Sequence, residues 1–191
     1  MIGKILKFFV GDKSKKDLKL INPIIDKIHS FQKEVSDYSN DELRAQTVNF
    51  KTKIFNATSS LHIEIDKIKS EIEQQIDINQ KESLFSRIDK LNQEIYQISE
   101  SCLEEILPKA FAVVKETASR FFNNKNITVK STDFDLKIAQ TKDYVEIKKN
   151  QAVWKNNWDA TGKNIVWDMI HYDVQLIGGV TTPDGPPKID K

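Results

Sequence analysis

Apolar residues recur at heptad-like spacing through the middle of the chain, and this pattern limits the fold more than any other feature. It occurs in two runs separated by an irregular patch, each surrounded by charged and amide residues. The spacing predicts two antiparallel helices with a bend near Asp77–Lys81, and one long helix is the alternative. The stripe indicates a packing seam without chemistry. Its members are Leu61, Ile65, Ile68, Ile72, Leu84, Ile88, Leu91, Ile95, Ile98 and Cys102.

Helices are also predicted on both sides of this seam. Pro23 stands at a plausible first helical position, and a capping box at Ser39 and Glu42 predicts a second helix start. Pro108 predicts a further start, and the helix after it is apolar on most of its surface, so we expect deep burial. Asn123–Asn126 should end that helix. The apolar positions used here are Ile24, Ile28, Phe31, Val35, Leu43, Val48, Phe50, Ile54, Ala110, Phe111, Val113, Val114, Ala118, Phe121 and Phe122.

The residue pattern changes after residue 123. Short β-branched or aromatic segments predict strands at 127–130, 144–149 and 152–158, with one or two helical turns at 133–140. Asn150-Gln151 and Thr161-Gly162 fit tight hairpin turns. A further buried strand is predicted at Val174–Ile177. The expected fold class is therefore mainly α with a minor β portion (α+β), in which long helices carry a helical hairpin or coiled-coil-like insert and a small strand-rich insert.

Composition excludes several kinds of protein. The net charge of +1 gives no global field for nucleic acid, and Cys102 is the only cysteine, so no intrachain disulfide can form. No apolar stretch approaches the ~18 residues of a membrane span. The three histidines show no metal-ligand spacing, so we expect no metal site. Gly162-Lys163 lacks the Ser/Thr of a phosphate-binding loop, and no catalytic nucleophile pattern stands out.

The first ten residues are amphipathic and basic. Apolar residues follow helical spacing, and lysines interrupt the run, so we interpret the segment as retained and not as a cleaved signal peptide. A solvated terminus is one interpretation. The other is a membrane-surface anchor, in which lysines approach anionic lipid while apolar side chains insert. The membrane-contact residues would then be Lys4, Lys7, Phe8 and Phe9.

One short segment carries a specific resemblance. Met169–Gly179 reads Met-Ile-His-Tyr-Asp-Val-Gln-Leu-Ile-Gly-Gly, which closely resembles the adenine-recognition segment of the SecA family of preprotein translocase ATPases. Ser39–Thr47 and Leu107–Glu116 are similar to two further blocks of that family, in the same order. The resemblance spans roughly residues 1–180, and the regions near 57–104 and 124–168 look like inserts.

The chemistry of this segment suits a purine. A glutamine amide can donate to N7 of adenine and accept from its N6 amino group, so Gln175 is the expected base reader. An aromatic ring and a thioether can grip the purine, which makes Tyr172 and Met169 the next candidates. The family resemblance implies the same three contacts with ATP, and Gly178-Gly179 is expected to reverse the chain nearby.

The resemblance implies an N-terminal piece of a RecA-like motor lobe. Five segments are expected: a basic terminus (1–20), a helical lead-in (21–122), a strand-rich insert (123–168), an adenine-recognition strand (169–180) and a disordered tail (181–191). The segment after Val180 departs from the family, and these 191 residues hold no Walker A or B motif. The chain alone is therefore expected to bind ATP weakly at best and not to hydrolyse it.

The resemblance also implies partners and a location. These are the SecY channel, an anionic membrane surface, secretory preproteins through the full-length protein, and a possible homodimer, but no nucleic acid. The location would be cytoplasmic, peripheral to the inner face of the cell membrane. A non-enzymatic membrane-associated helical interaction module and a truncated decoy of the translocase are the alternative functions.

Overall fold

The computed structural model describes residues 12–74 and 77–181, and it contains five helices and five short strands within those ranges. The expected class, mainly α with a minor β portion, is confirmed. The candidate membrane-contact residues Lys4, Lys7, Phe8 and Phe9, and residues 182–191 of the expected tail, lie outside the described residues. In chain order the elements are α1 (Asp12–Ser36), α2 (Asn40–Gln74), α3 (Ile78–Asn123), β1 (Asn126–Lys130), α4 (Asp133–Ala139), β2 (Val145–Lys148), β3 (Gln151–Lys155), β4 (Asn157–Ala160), β5 (Lys163–Val166) and α5 (Asp173–Thr181).

The chain divides into two units. One is Ala45–Leu107, and the other combines the described residues of Met1–Arg44 and Pro108–Lys191. No helix within residues 12–74 and 77–181 is long and apolar enough to cross a bilayer.

The unit Ala45–Leu107 is an antiparallel helical hairpin, as the heptad-like stripe predicts. Members of the stripe from α2 and α3 form its buried core. Glu64 pairs with Arg87, and Lys53 pairs with Glu105. An earlier residue of α2 thus pairs with a later residue of α3, so the two helices are antiparallel. The Asp77 carboxylate accepts hydrogen bonds from the amides of the next helix start, at 2.7 and 3.2 Å. The core residues are Ile65, Ile68, Ile88 and Leu91.

Neither proline begins a helix in the second unit, which corrects two expectations. Pro23 lies inside α1 and Pro108 lies inside α3. A proline removes one backbone hydrogen bond and does not by itself stop a helix whose flanks are packed. Both prolines are flanked by buried residues on each side, which holds the helices together. The flanking buried residues are Ile21, Ile25 and Ile28 in α1, and Ile106, Ala112 and Val113 in α3.

Most of the helix surface along 108–122 is covered, as its apolar composition predicts. Ala112, Val113 and Ala118 are buried, whereas Val114 and Phe122 are about half exposed. Every residue of 108–121 other than Val114 is at least partly buried, so this part of α3 is covered on most of its sides.

The turn between α1 and α2 confirms the predicted capping box. The Ser39 amide donates to Glu42 Oε2 (2.7 Å), and the Glu42 amide donates to Ser39 Oγ (3.2 Å). Both contacts satisfy amides that the first turn of α2 leaves without intrahelical partners.

The strands form two small antiparallel sheets. The first has the order β1-β3-β2, and the second is the β4-β5 hairpin. Thr161 and Gly162 turn that hairpin with φ of 53° and 82°, as predicted. The other turn is Lys149-Asn150, one residue earlier than expected. Gln151 joins β3 because it pairs with Lys130 on one side and Lys148 on the other.

Helix α5 is the element for which the sequence-based prediction is most clearly wrong. Val174–Ile177 was expected to be a buried strand and lies instead in helix α5. A short apolar run does not distinguish a strand from a buried helix, and only one side of this run is covered. Leu176 is buried, whereas Val174 is largely exposed.

Candidate functional site

The three residues proposed to hold adenine lie together at the start of α5. The Tyr172 amide donates a hydrogen bond to Gln175 Oε1 (2.8 Å), and Gln175 Nε2 approaches Met169 Sδ (3.7 Å). The family resemblance of this segment predicted the three residues, with their chemistry in support, and the structure brings all three into one hydrogen-bonded cluster.

Local helix geometry explains the cluster. Tyr172 occupies the capping position, and its carbonyl accepts from the amides of Gln175 (2.9 Å) and Leu176 (3.1 Å). A glutamine three residues after the cap can return its side chain to the cap amide, as half of a capping box does. The Gln175 amide group is therefore held in one place by the helix start itself. The side chain of Leu176, 2% exposed, anchors the same turn in the core.

The cluster remains open to solvent. Gln175 is exposed, and the exposed fractions of Tyr172 and Met169 are 74% and 37%. The Gln175 carbonyl oxygen accepts one hydrogen bond here and has a second lone pair, and its NH₂ group has a second hydrogen. One acceptor and one donor are what the N6 and N7 edge of adenine requires, so the arrangement fits a purine base.

Helix α5 is held from two sides by residues that sequence reasoning did not connect with it. The Asp173 carboxylate lies 2.8 Å from His29 Nε2 in α1 and 3.7 Å from Lys115 Nζ in α3. His29 and Asp173 are 144 residues apart, and no motif links them. These contacts fix the first turn of α5, which carries Gln175.

Gly179 has a packing role, and the chain reversal expected at Gly178-Gly179 is wrong. Both glycines lie inside α5. A Cβ on Gly179 would lie 2.8–2.9 Å from the Phe111 ring, whereas a Cβ on Gly178 would meet nothing within 4 Å. Gly179 thus lets α5 approach α3 closely, and the same freedom is not required at Gly178.

The segment before α5 is anchored by an indole. Trp167 Nε1 donates to the Met169 carbonyl (2.7 Å), and the Trp167 ring packs on Phe121 with centroids 6.4 Å apart. The Trp167 amide also donates to the Asn156 carbonyl (2.7 Å). Met169 is therefore positioned by the two-stranded sheet and by α3.

No group of three or more His, Cys, Asp or Glu residues that could hold a metal ion occurs in the part of the chain that the structure describes. The groups that the cluster presents to solvent are an amide, a phenol ring and a thioether.

Comparisons with known proteins match nearly all of the chain to one protein family. The family model described as the SecA DEAD-like domain matches residues 6–186. The protein translocase subunit SecA of Christiangramia forsetii is 49% identical over 184 residues, and that of Flavobacterium psychrophilum is 52% identical over 184 residues. That of Bacteroides fragilis is 44% identical over 183 residues.

Each of these matches covers 96% of this chain but 16% of the relative. The chain thus spans about one-sixth of the length of the curated relatives it matches. No solved structure matches it.

Proposed function

Because the chain belongs to the SecA family, we propose that it supplies the adenine-recognition segment of a protein translocase subunit that uses ATP to move preproteins through the SecY channel. The observation that carries this proposal is the cluster of Gln175, Tyr172 and Met169, in which the amide is pre-oriented by the start of α5. Pre-orientation favours binding because less side-chain freedom is lost when the base arrives.

Each residue has a distinct role in this proposal. Gln175 Nε2 donates to N7 of adenine, and Oε1 accepts from the N6 amino group. Tyr172 and Met169 cover the purine, since both are exposed beside the amide. The proposal concerns recognition of the base, and it assigns no hydrolytic step to these residues.

Saturation-transfer NMR on the 191-residue chain tests the proposal, because this method detects weak binding. Saturation should reach H2 and H8 of ATP and should be much weaker for GTP, whose O6 cannot donate to Gln175 Oε1. The informative variant is Gln175→Glu. A glutamate still accepts from the Tyr172 amide and keeps the cap, yet it has no donor for N7.

The expected result is loss of the adenine signal in Gln175→Glu with α5 intact by circular dichroism. Gln93→Ala is the matched control, since Gln93 is exposed on α3 in the other unit. Equal saturation of ATP and GTP, or an unchanged signal in Gln175→Glu, would show that this amide does not recognise the base.

We also propose that Lys4, Lys7, Phe8 and Phe9 contact anionic lipid and the channel. In this proposal the protein lies at the cytoplasmic face of the cell membrane and forms a homodimer. Support comes from the basic amphipathic sequence, since lysines near an anionic leaflet each contribute about 1 kcal/mol. In flotation with vesicles containing anionic lipid, Lys4→Glu with Lys7→Glu should reduce binding. Equal flotation of this variant and the unchanged chain would refute the assignment.

A further inference from the structure

The helical hairpin Ala45–Leu107 presents an exposed apolar stripe that its own core does not use. Four residues of α3 follow each other at spacings of seven, eleven and seven, which places them within about 20° of one another around the helix. They are far more exposed than the core stripe, with Ile78 at 79% and Tyr96 at 66%. The four residues are Ile78, Phe85, Tyr96 and Leu103.

Helix α2 contributes to the same face. Val48 and Phe55 lie seven residues apart and are more than 60% exposed. On each helix, the residues of the two interhelical ion pairs, Glu64–Arg87 and Lys53–Glu105, lie to one side of the core stripe. The exposed apolar residues lie to the other side, so α2 and α3 present them on a common face of the hairpin, opposite the ion pairs.

Acidic side chains border this face. Glu82, Asp89 and Glu100 follow the stripe along the outer edge of α3, and all three are exposed. None of them forms a salt bridge with a residue in the ranges that the structure describes. Lys51 and Lys81 lie on the same face but nearer the hairpin core, so the negative charge is concentrated along the outer edge of α3.

From this combination we infer that the apolar face of the hairpin, edged by Glu82, Asp89 and Glu100, is a docking surface for a cationic amphipathic helix of a partner protein. Contiguous exposed apolar surface marks interaction sites, and a helix laid along such a face buries side chains at the same spacing that the stripe shows. The carboxylates select a partner with lysine or arginine beside its apolar stripe.

The same charges disfavour other occupants. An anionic bilayer would be repelled by the carboxylates, although the apolar stripe alone would suit a membrane. A second copy of the hairpin packed through α3 would oppose like charges. The stripe from Ile78 to Leu103 is about 38 Å long at a rise of ~1.5 Å per residue, so it accommodates a partner helix of up to ~25 residues.

The test uses the 191-residue chain and two labelled peptides of about 18 residues, one of leucine and lysine and one of leucine and glutamate, both helical and amphipathic. Fluorescence anisotropy should show binding of the leucine–lysine peptide that weakens as salt rises. Phe55→Ser with Tyr96→Ser should weaken that binding ~10-fold or more, because central aromatic residues dominate interfaces. Val114→Ser with Phe122→Ser, on α3 but outside the hairpin unit, is the control and should leave binding unchanged.

A charge swap gives the second readout. Glu82→Lys with Asp89→Lys and Glu100→Lys should weaken binding of the leucine–lysine peptide and strengthen that of the leucine–glutamate peptide. Equal binding of both peptides by the unchanged chain would overturn the inference. So would vesicle binding that requires Phe55 and Tyr96. Sedimentation as a dimer that dissociates in the Phe55→Ser, Tyr96→Ser variant would likewise overturn it, since a second copy would then occupy the face.

Discussion

The guanidinium of Arg44 grips the fully buried carboxylate of Asp135 with two contacts of 2.9 Å, one to each oxygen. Asp135 also accepts from the amide and hydroxyl of Thr132, each at 2.8 Å, and from Trp154 Nε1 at 2.9 Å. The carboxylate of Asp135 thus links the first turns of α2 to α4 and β3. An ionised buried carboxylate is tolerable because donors surround it.

Removing the cation of this pair should be costly. Arg44→Ala leaves a buried carboxylate without its partner, so we expect the free energy of unfolding to fall by about 3–5 kcal/mol. Urea unfolding followed by tryptophan fluorescence measures this, since all three tryptophans lie in the same unit as Arg44. Lys148→Gln, which removes an exposed pair with Glu146 in the same unit, is the control and should change stability by less than ~1 kcal/mol. A loss as small as the control's would mean that Asp135 does not depend on Arg44.

The same carboxylate should make stability depend on acid. Burial raises the pKa of Asp135, but hydrogen bonds from Arg44, Thr132 and Trp154 outweigh it and hold the pKa below its ordinary value. The folded pKa is therefore below the unfolded value of about 3.9, so the stabilisation is present above that pH and is lost as pH falls towards the folded pKa. Urea midpoints measured from about pH 6 down to about pH 3 should fall less steeply in Asp135→Asn than in the unchanged chain. Parallel slopes would assign the acid sensitivity to other groups.

Adjacent glycines in α5 should respond oppositely to alanine. Gly179→Ala places a Cβ against the Phe111 ring and should cost about 1–3 kcal/mol. Gly178→Ala meets open space and should be neutral or stabilising by up to ~1 kcal/mol, because alanine favours the helix. Thermal unfolding separates the two. The cost of Gly179→Ala should shrink in a Phe111→Ala background, and equal effects at both glycines would contradict the close approach of α5 to α3.

Arg120, on α3, caps the C-terminal end of α1. Its guanidinium donates to the Tyr38 carbonyl (2.7 Å) and to Asn40 Oδ1 (2.8 Å), and it pairs with Glu116 (2.9 Å). Lysine cannot reproduce this fork, so Arg120→Lys should lower the free energy of unfolding by about 1–3 kcal/mol. Arg87→Lys, in an exposed pair, should change it by less than ~1 kcal/mol. Urea unfolding of both variants provides the comparison, and indistinguishable values would argue against the capping role.

Local protection of α5 should depend on His29. His29→Ala removes the 2.8 Å contact with Asp173, which is solvent-exposed, so global stability should change by less than ~1 kcal/mol. Amide hydrogen exchange should nevertheless become faster in residues 173–181, because the first turn of α5 loses one of its supports. Exchange rates identical to those of the unchanged chain would show that Lys115 and the packing of Leu176 hold α5 without His29.

Local patterns predicted much of this protein. The heptad-like stripe predicted the hairpin, Ser39 and Glu42 predicted a helix start, and Thr161-Gly162 predicted a turn, because each signal acts between residues close in sequence. The candidate site residues Met169, Tyr172 and Gln175 were identified through the resemblance of the short segment Met169–Gly179 to a known family. Their assignment to adenine stays a prediction.

Tertiary structure decided what local patterns left open. Val174–Ile177 is helical because Leu176 is buried against the rest of its unit, and Pro23 lies inside α1 because buried residues flank it. The contacts of Asp173 with His29 and of Asp135 with Arg44 join residues 144 and 91 positions apart. Spacing along the chain encodes helical faces and turns, whereas pairing between distant groups depends on which faces pack together. That packing is determined by burial and close approach across the whole unit, which no short window of sequence contains.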